Sequence, residues 1–190
     1  MKRSTKPFGQ KFINTHLVWV LICIIGLLIG SLYCVSMKND VAFFLNLSQM
    51  IRGDKLLSGT TGKIFRTALV IHLIQLFGIW GSGFIKTTRP IGIVILFLIC
   101  LNYGFSISAL LLLYGLTGIG LGTLLFGMQG VGLLFLGIML NEHSRQYGQR
   151  GKEVYGKIYR QVSLFCGVGA LLISIVDTYF QPFIWQFFKI

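Results

Sequence analysis

Acidic residues are scarce: five Asp and Glu face seventeen Lys and Arg in 190 residues, and charged side chains make up only 12% of the chain. Soluble domains carry about 25%, so this composition excludes an ordinary soluble globular protein. The four cysteines, Cys23, Cys34, Cys100 and Cys166, all lie in apolar stretches and none forms a Cys-x-x-Cys pair. They give neither a disulfide framework nor a metal site, and read as small buried hydrophobes. No two carboxylates stand close in sequence, and no Ser, Thr or Cys has a base at motif spacing, a poor inventory for catalysis. The chain is expected not to be an enzyme and to hold no cofactor.

Long apolar runs are what the sequence has instead. Crossing the hydrocarbon takes about 20 apolar residues, and five segments qualify: about 17–37, 64–85, 90–114, 116–140 and 162–180. The expected fold class is therefore all-α, a polytopic bundle of about five spans forming one membrane domain, 1–190. The first run is too long for a signal-peptide core and no small-x-small cleavage site follows it, so it reads as an uncleaved span.

The 90–141 region has no charged side chain and must fold back, with "YGLTGIG" (residues 114–120) as its turn. The fourth span carries seven glycines between Gly118 and Gly137. Each costs about 1 kcal/mol in a helix, so they need a reason. Two are open: a small-residue packing face, with Gly118 and Gly122 one turn apart, or a break around "GMQG" (127–130) that protein or water must satisfy. Gly26 with Gly30, and Gly104, offer similar faces, which could also receive a partner's single span; a homo-oligomer is possible as well.

The charge of +12 would suggest nucleic acid in a soluble protein. Here the basic residues lie between spans, where orientation and anionic lipid account for them, and no nucleic-acid partner is expected. Lys2, Arg3, Lys6 and Lys11 precede span one; Lys86 and Arg89 separate spans two and three; Arg145, Arg150, Lys152, Lys157 and Arg160 occupy 142–160. An N-terminus on the cytoplasmic side puts all three clusters inside and makes 142–160 a cytoplasmic basic loop. Segment 41–52, "VAFFLNLSQMIR", would be external. Its Phe43, Phe44 and Leu47 recur at helical spacing, as in an interfacial amphipathic helix. "SGTTGK" (58–63) is not a phosphate loop, because Ile64 stands where Ser or Thr must bind magnesium.

Four polar residues sit inside spans: His72, Gln75, Asn102 and Gln129. Intramembrane polar groups are functional candidates, though a histidine hydrogen-bonded to a neighbouring helix is the plainer reading. With no further His or carboxylate at ligand spacing, no metal is expected. The last stretch, "SIVDTYFQPFIWQFF" (174–188), keeps an acid, Asp177, about 22 Å into the fifth span, near an interface. Pro182 would end that span and start a short interfacial helix, with Trp185 as an aromatic anchor. Asp177 would accept hydrogen bonds at that corner or pair with another helix.

This corner resembles the stage II sporulation protein M family, which typically ends in an acid, a variable residue, an aromatic, two more residues and a proline. Here that reads Asp177, Thr178, Tyr179, Phe180, Gln181, Pro182, with Asp where Glu is usual. "LNYGFSISALLLLYG" (101–115) is similar to the family's Gly-Phe-small pattern, and 41–52 falls where the family has its external amphipathic segment. One departure is clear: many members break the fourth helix with Pro-His-Gly or Pro-Gln-Asn, often with Glu after it, and this chain has Met128, Gln129, Gly130. The resemblance implies a non-catalytic scaffold in the bacterial cytoplasmic membrane that recruits peptidoglycan hydrolases at the outer face, through Phe43, Phe44, Leu47, Asp177, Tyr179, Pro182 and Trp185. Members also occur alongside transport ATPases, so the alternative is a permease or accessory subunit of an ABC-type transporter gripping its ATPase through 142–160. A third class, an intramembrane enzyme or lipid-handling protein, requires His72, Gln75, Asn102 and Gln129 to converge on one cavity.

Overall fold

The computed structural model describes residues 8–40, 42–43, 45, 61–82, 84, 89–150 and 152–188. Among these there are six α-helices and no strand: α1 (Phe8–Ser36), α2 (Thr61–Gly81), α3 (Arg89–Tyr114), α4 (Leu116–Gly122), α5 (Met128–Arg150) and α6 (Lys152–Phe188). Between α4 and α5, Thr123–Gly127 forms a π-helical turn. Four helices are long and apolar enough to cross a membrane, or five spans if the bent α4–π–α5 pair counts as one. Large apolar side chains such as Leu32, Phe77 and Leu164 stay about 70% exposed. In water this would be costly, and against lipid tails it is not.

The contacts fix the topology. α1 runs parallel to α3, with Gly26 beside Phe97 and Cys100 and Gly30 beside Leu101 and Phe105. α2 is antiparallel to α3 (Gly78 on Ile95) and α5 is antiparallel to α6 (Gly132 on Ile173). One end of the bundle therefore carries Ser36, Thr61, Tyr114 and Phe188, and the other Gly81, Arg89, Arg150 and Lys152. The core joins Trp19, Leu76, Ile79, Leu96, Ile99, Leu133, Leu136 and Leu140.

The packing glycines work inside the bundle. A Cβ on Gly30 would strike the Leu101 carbonyl, one on Gly104 the Leu27 carbonyl, and one on Gly118 the Leu110 carbonyl. These approaches let backbones meet without side chains between them, the usual route to helix contact in lipid. A Cβ on Gly26 would come within 2.9 Å of the Phe97 carbonyl oxygen, a looser but still crowded approach. These glycines thus pack helices of the same chain, as the helix-packing reading expects, and a Cβ on Gly122 would meet Ile107 at ordinary distance. Cys34, Cys100 and Cys166 are buried, Cys23 is half-buried, and all four are free.

The turn expected at 114–120 is there, built on Gly115 at φ 62°, a left-handed geometry that only glycine adopts at little cost. Thr117 Oγ1 donates to the Tyr114 carbonyl at 2.6 Å, capturing an acceptor the helix end leaves open. Both readings of the glycine-rich span hold together. Gly118 packs, and the helix, after the π-helical turn Thr123–Gly127, bends by 40° between residues 116–127 and 129–149.

Two expectations are overturned. Segment 142–160 is not a loop: α5 continues to Arg150 and α6 begins at Lys152, so the basic residues ride on a helical hairpin. Nor does Pro182 end the last helix: the stretch apolar enough to cross a membrane stops at Phe180, but α6 continues through Pro182 to Phe188. A proline inside a helix forfeits the bond to the carbonyl four residues back, here Thr178, and crowds that carbonyl, and spans tolerate this where neighbours and Ser or Thr side chains compensate. The residues after Pro182 therefore extend α6 and do not form a separate short helix.

Candidate functional site

A cleft of about 360 Å³ opens between α2, α3, the π-turn region and α6. Ile64, Ala68, Ile71, His72 and Gln75 line it from one face of α2, as their spacing of three and four requires. Ile99, Asn102 and Tyr103 line it from α3, Phe126 and Gln129 from the break, and Asp177 from α6. Lys63, Thr67 and Asn102 are exposed and mark the mouth; His72, Gln129 and Asp177 are buried and form the floor. Lys63 stands nine residues before His72, so the cleft reaches roughly 13 Å along α2.

His72 Nε2 lies 2.8 Å from Asp177 Oδ2. The two side chains are 8% and 5% exposed, so the bond is made away from water. Either Nε2–H donates to the carboxylate or a protonated carboxyl donates to Nε2. Ser174 and Thr178 flank the acid but donate back along α6 to the Ala170 and Ser174 carbonyls, at 2.8 and 2.7 Å. His72 Nδ1 and Gln75 Oε1 are buried and have no hydrogen-bond partner among the described residues. The π-turn supplies its own compensation: Thr123 Oγ1 donates to the Ile119 carbonyl at 2.8 Å, and Gln129 Nε2 donates to the Leu125 carbonyl. A π-turn shifts the backbone register and loosens carbonyls; two polar side chains tie them down.

His72, Gln75, Asn102 and Gln129 therefore converge on one cleft, the condition set for an intramembrane site. Asp177 joins them rather than standing at an interfacial corner, and this removes it from any surface contact: a carboxylate buried against His72 offers nothing to a docking protein. Tyr179, two residues on, is 68% exposed. Pro182 and Trp185 lie in the last turns of α6. Phe43 leans on α3, its ring 5.9 Å from Phe105, and its backbone N–H donates to Asp40 Oδ1 at 2.9 Å; Phe44 and Leu47 lie outside the described residues. Among the described residues no three His, Cys, Asp or Glu side chains are grouped as a metal site would need.

Sequence reasoning missed Lys63, Thr67, Tyr103 and Phe126 as cleft residues, and it missed the His72–Asp177 pair. A signal for the pair was available. They are the only histidine and the only acid inside the apolar spans, and ionisable groups in a bilayer seek one another.

Comparison with known proteins finds no matching family model, no matching curated protein and no matching solved structure.

Proposed function

We propose that the chain is a non-catalytic, multi-pass scaffold of the bacterial cytoplasmic membrane, with its N-terminus inside, that recruits peptidoglycan-remodelling enzymes at the outer face. The reading rests on the resemblance to the stage II sporulation protein M family, and one observation supports it. Tyr179 and Phe183, 68% and 61% exposed, stand one turn apart on α6, just beyond the buried Asp177–His72 bond. The acid of the terminal motif acts inward and fixes the helix, while its aromatic acts outward. A rigid aromatic ridge at the end of a span is a natural anchor for a partner, because aromatic side chains dominate binding hot spots.

A tagged pull-down from the native host in mild detergent tests this. Cell-wall hydrolases should be recovered with the parent chain. Tyr179→Ala with Phe183→Ala should lower that recovery about tenfold, the effect of roughly 1.4 kcal/mol, at unchanged membrane abundance. Equal recovery from parent and variant would sink the ridge as the contact surface.

A second reading, a permease or accessory subunit of an ABC-type transporter, draws on the π-turn and 40° bend beside a polar cleft, since such breaks recur where helices carry function. Recovery of a transport ATPase in place of hydrolases would select it and move attention to the basic hairpin 142–160.

A further inference from the structure

The cleft contains buried polar atoms that the fold leaves unused. His72, its side chain more than nine-tenths buried, lines the cleft, and its Nδ1 has no partner among the described residues; Gln75, one turn along α2, also lines the cleft, and though its side chain is only half-buried its Oε1 is buried and equally unpartnered. An orphaned buried polar atom costs about 1–3 kcal/mol, so the cleft is built for something that satisfies both. We propose that it binds a vicinal diol, carried either by the headgroup of a lipid or by a free polyol or sugar.

Four features select this chemistry. A hydroxyl both donates and accepts, so it satisfies Nδ1 whichever proton state the His72–Asp177 pair adopts. Residues at i and i+3 on a helix have Cβ atoms about 5–6 Å apart, a gap that two adjacent hydroxyls bridge when one meets His72 and the next meets Gln75. Apart from Asp177, already bonded to His72, and Lys63 at the mouth, the remaining polar lining is amide and hydroxyl, Asn102, Gln129, Thr67 and Tyr103, which recognises neutral hydrogen-bonding groups. The rings of Tyr103 and Phe126, with centroids 6.2 Å apart, give apolar faces for the C–H side of a polyol. The volume of about 360 Å³ falls at the small end of ligand sites, about 300–1,000 Å³, enough for one headgroup and too little for a long polar chain. Lys63 at the mouth adds a cation where a headgroup phosphate would pass.

The full chain in nanodiscs tests the proposal, with two readouts. The first is lipid retained on the protein by native mass spectrometry, comparing phosphatidylglycerol, which carries a vicinal diol, with phosphatidylethanol, which carries the same charge and no hydroxyl. The second is the 15Nδ1 resonance of His72 on titration with glycerol or methyl glucoside. Gln75→Leu removes one of the two contacts without touching the His72–Asp177 bond, so the variant keeps its fold. Retention of phosphatidylglycerol at least tenfold above phosphatidylethanol, abolished by Gln75→Leu, assigns the diol to a lipid. Equal lipid retention with a saturable His72 shift on adding glycerol or methyl glucoside, again lost in Gln75→Leu, assigns it to a free polyol. No preference and no shift overturns the proposal, and so does a preference that survives Gln75→Leu. None of these outcomes depends on whether hydrolases are recruited.

Discussion

Replacing His72 and Asp177 singly and together measures what the buried pair contributes. His72→Leu leaves a carboxylate buried without its partner, which costs about 3–5 kcal/mol in protein interiors. Asp177→Leu leaves the imidazole with both nitrogens orphaned, at about 1–3 kcal/mol. The double variant removes both polar groups and fills the site with apolar volume, a change often close to neutral. If the single costs added, the double variant would lose about 4–8 kcal/mol; the structure predicts a loss within about 1 kcal/mol of the parent. The coupling energy is then at least about 3 kcal/mol. Neutral hydrogen bonds between transmembrane helices couple far more weakly, about 0.6 kcal/mol on average and about 1.7 at most, so the two cases separate cleanly. Reversible unfolding in mixed micelles of increasing SDS content, followed by circular dichroism, gives all four stabilities. A coupling below about 1.7 kcal/mol would refute the reasoning, because the pair would then be an ordinary hydrogen bond and not a charge held by its partner.

Two further predictions separate close packing from open space and a continuous helix from a broken one. Gly104→Ala drives a Cβ into the Leu27 carbonyl and should cost about 1–3 kcal/mol. Gly167→Ala on α6 meets nothing within 4 Å and should gain up to about 1 kcal/mol. Thermal midpoints in one detergent should move in opposite directions, and a gain at Gly104 would mean that α1 is not seated on α3. Pro182→Ala restores one backbone bond within α6 and should raise stability, by at most about 3 kcal/mol, with helicity unchanged by circular dichroism; a rise in helicity would mean that the proline ends the span after all.

The spans were legible because hydrophobic length is a one-dimensional property: 90–114 was read from the sequence and the helix runs Arg89–Tyr114. The turn at Gly115 was legible too, from the glycine. What failed were the inferences about where the last two helices begin and stop. At 142–160 charge and polarity suggested a loop, but a helix that leaves the bilayer keeps its backbone bonds and only exchanges lipid for water around its side chains. Pro182 failed for a related reason, since proline is a strong breaker in water and a weaker one where neighbouring groups take up the freed carbonyl. The cleft was half legible. Four of its polar residues stood out against an apolar background, but their meeting depends on how α2, α3, α5 and α6 rotate about their axes, which a hydropathy pattern does not encode. Tyr103 and Phe126 gave no signal, because aromatics are everywhere in this chain.

The helical hairpin has a consequence for whatever the basic residues meet. A flexible segment of this length would lose about 1–2 kcal/mol of backbone freedom for each residue ordered on contact. Arg145 and Arg160 are instead carried on helices already folded, which are tied together by the Tyr147 and Tyr159 rings, stacked at 4.7 Å, and by the Tyr155 hydroxyl, 2.8 Å from His143 Nδ1. Little remains to be ordered, so more of the electrostatic attraction survives as net affinity. The same rigidity narrows the choice of partner. A coil adapts its cations to any anionic surface, whereas a fixed comb of charges rewards only a surface whose acidic groups repeat at its own spacing.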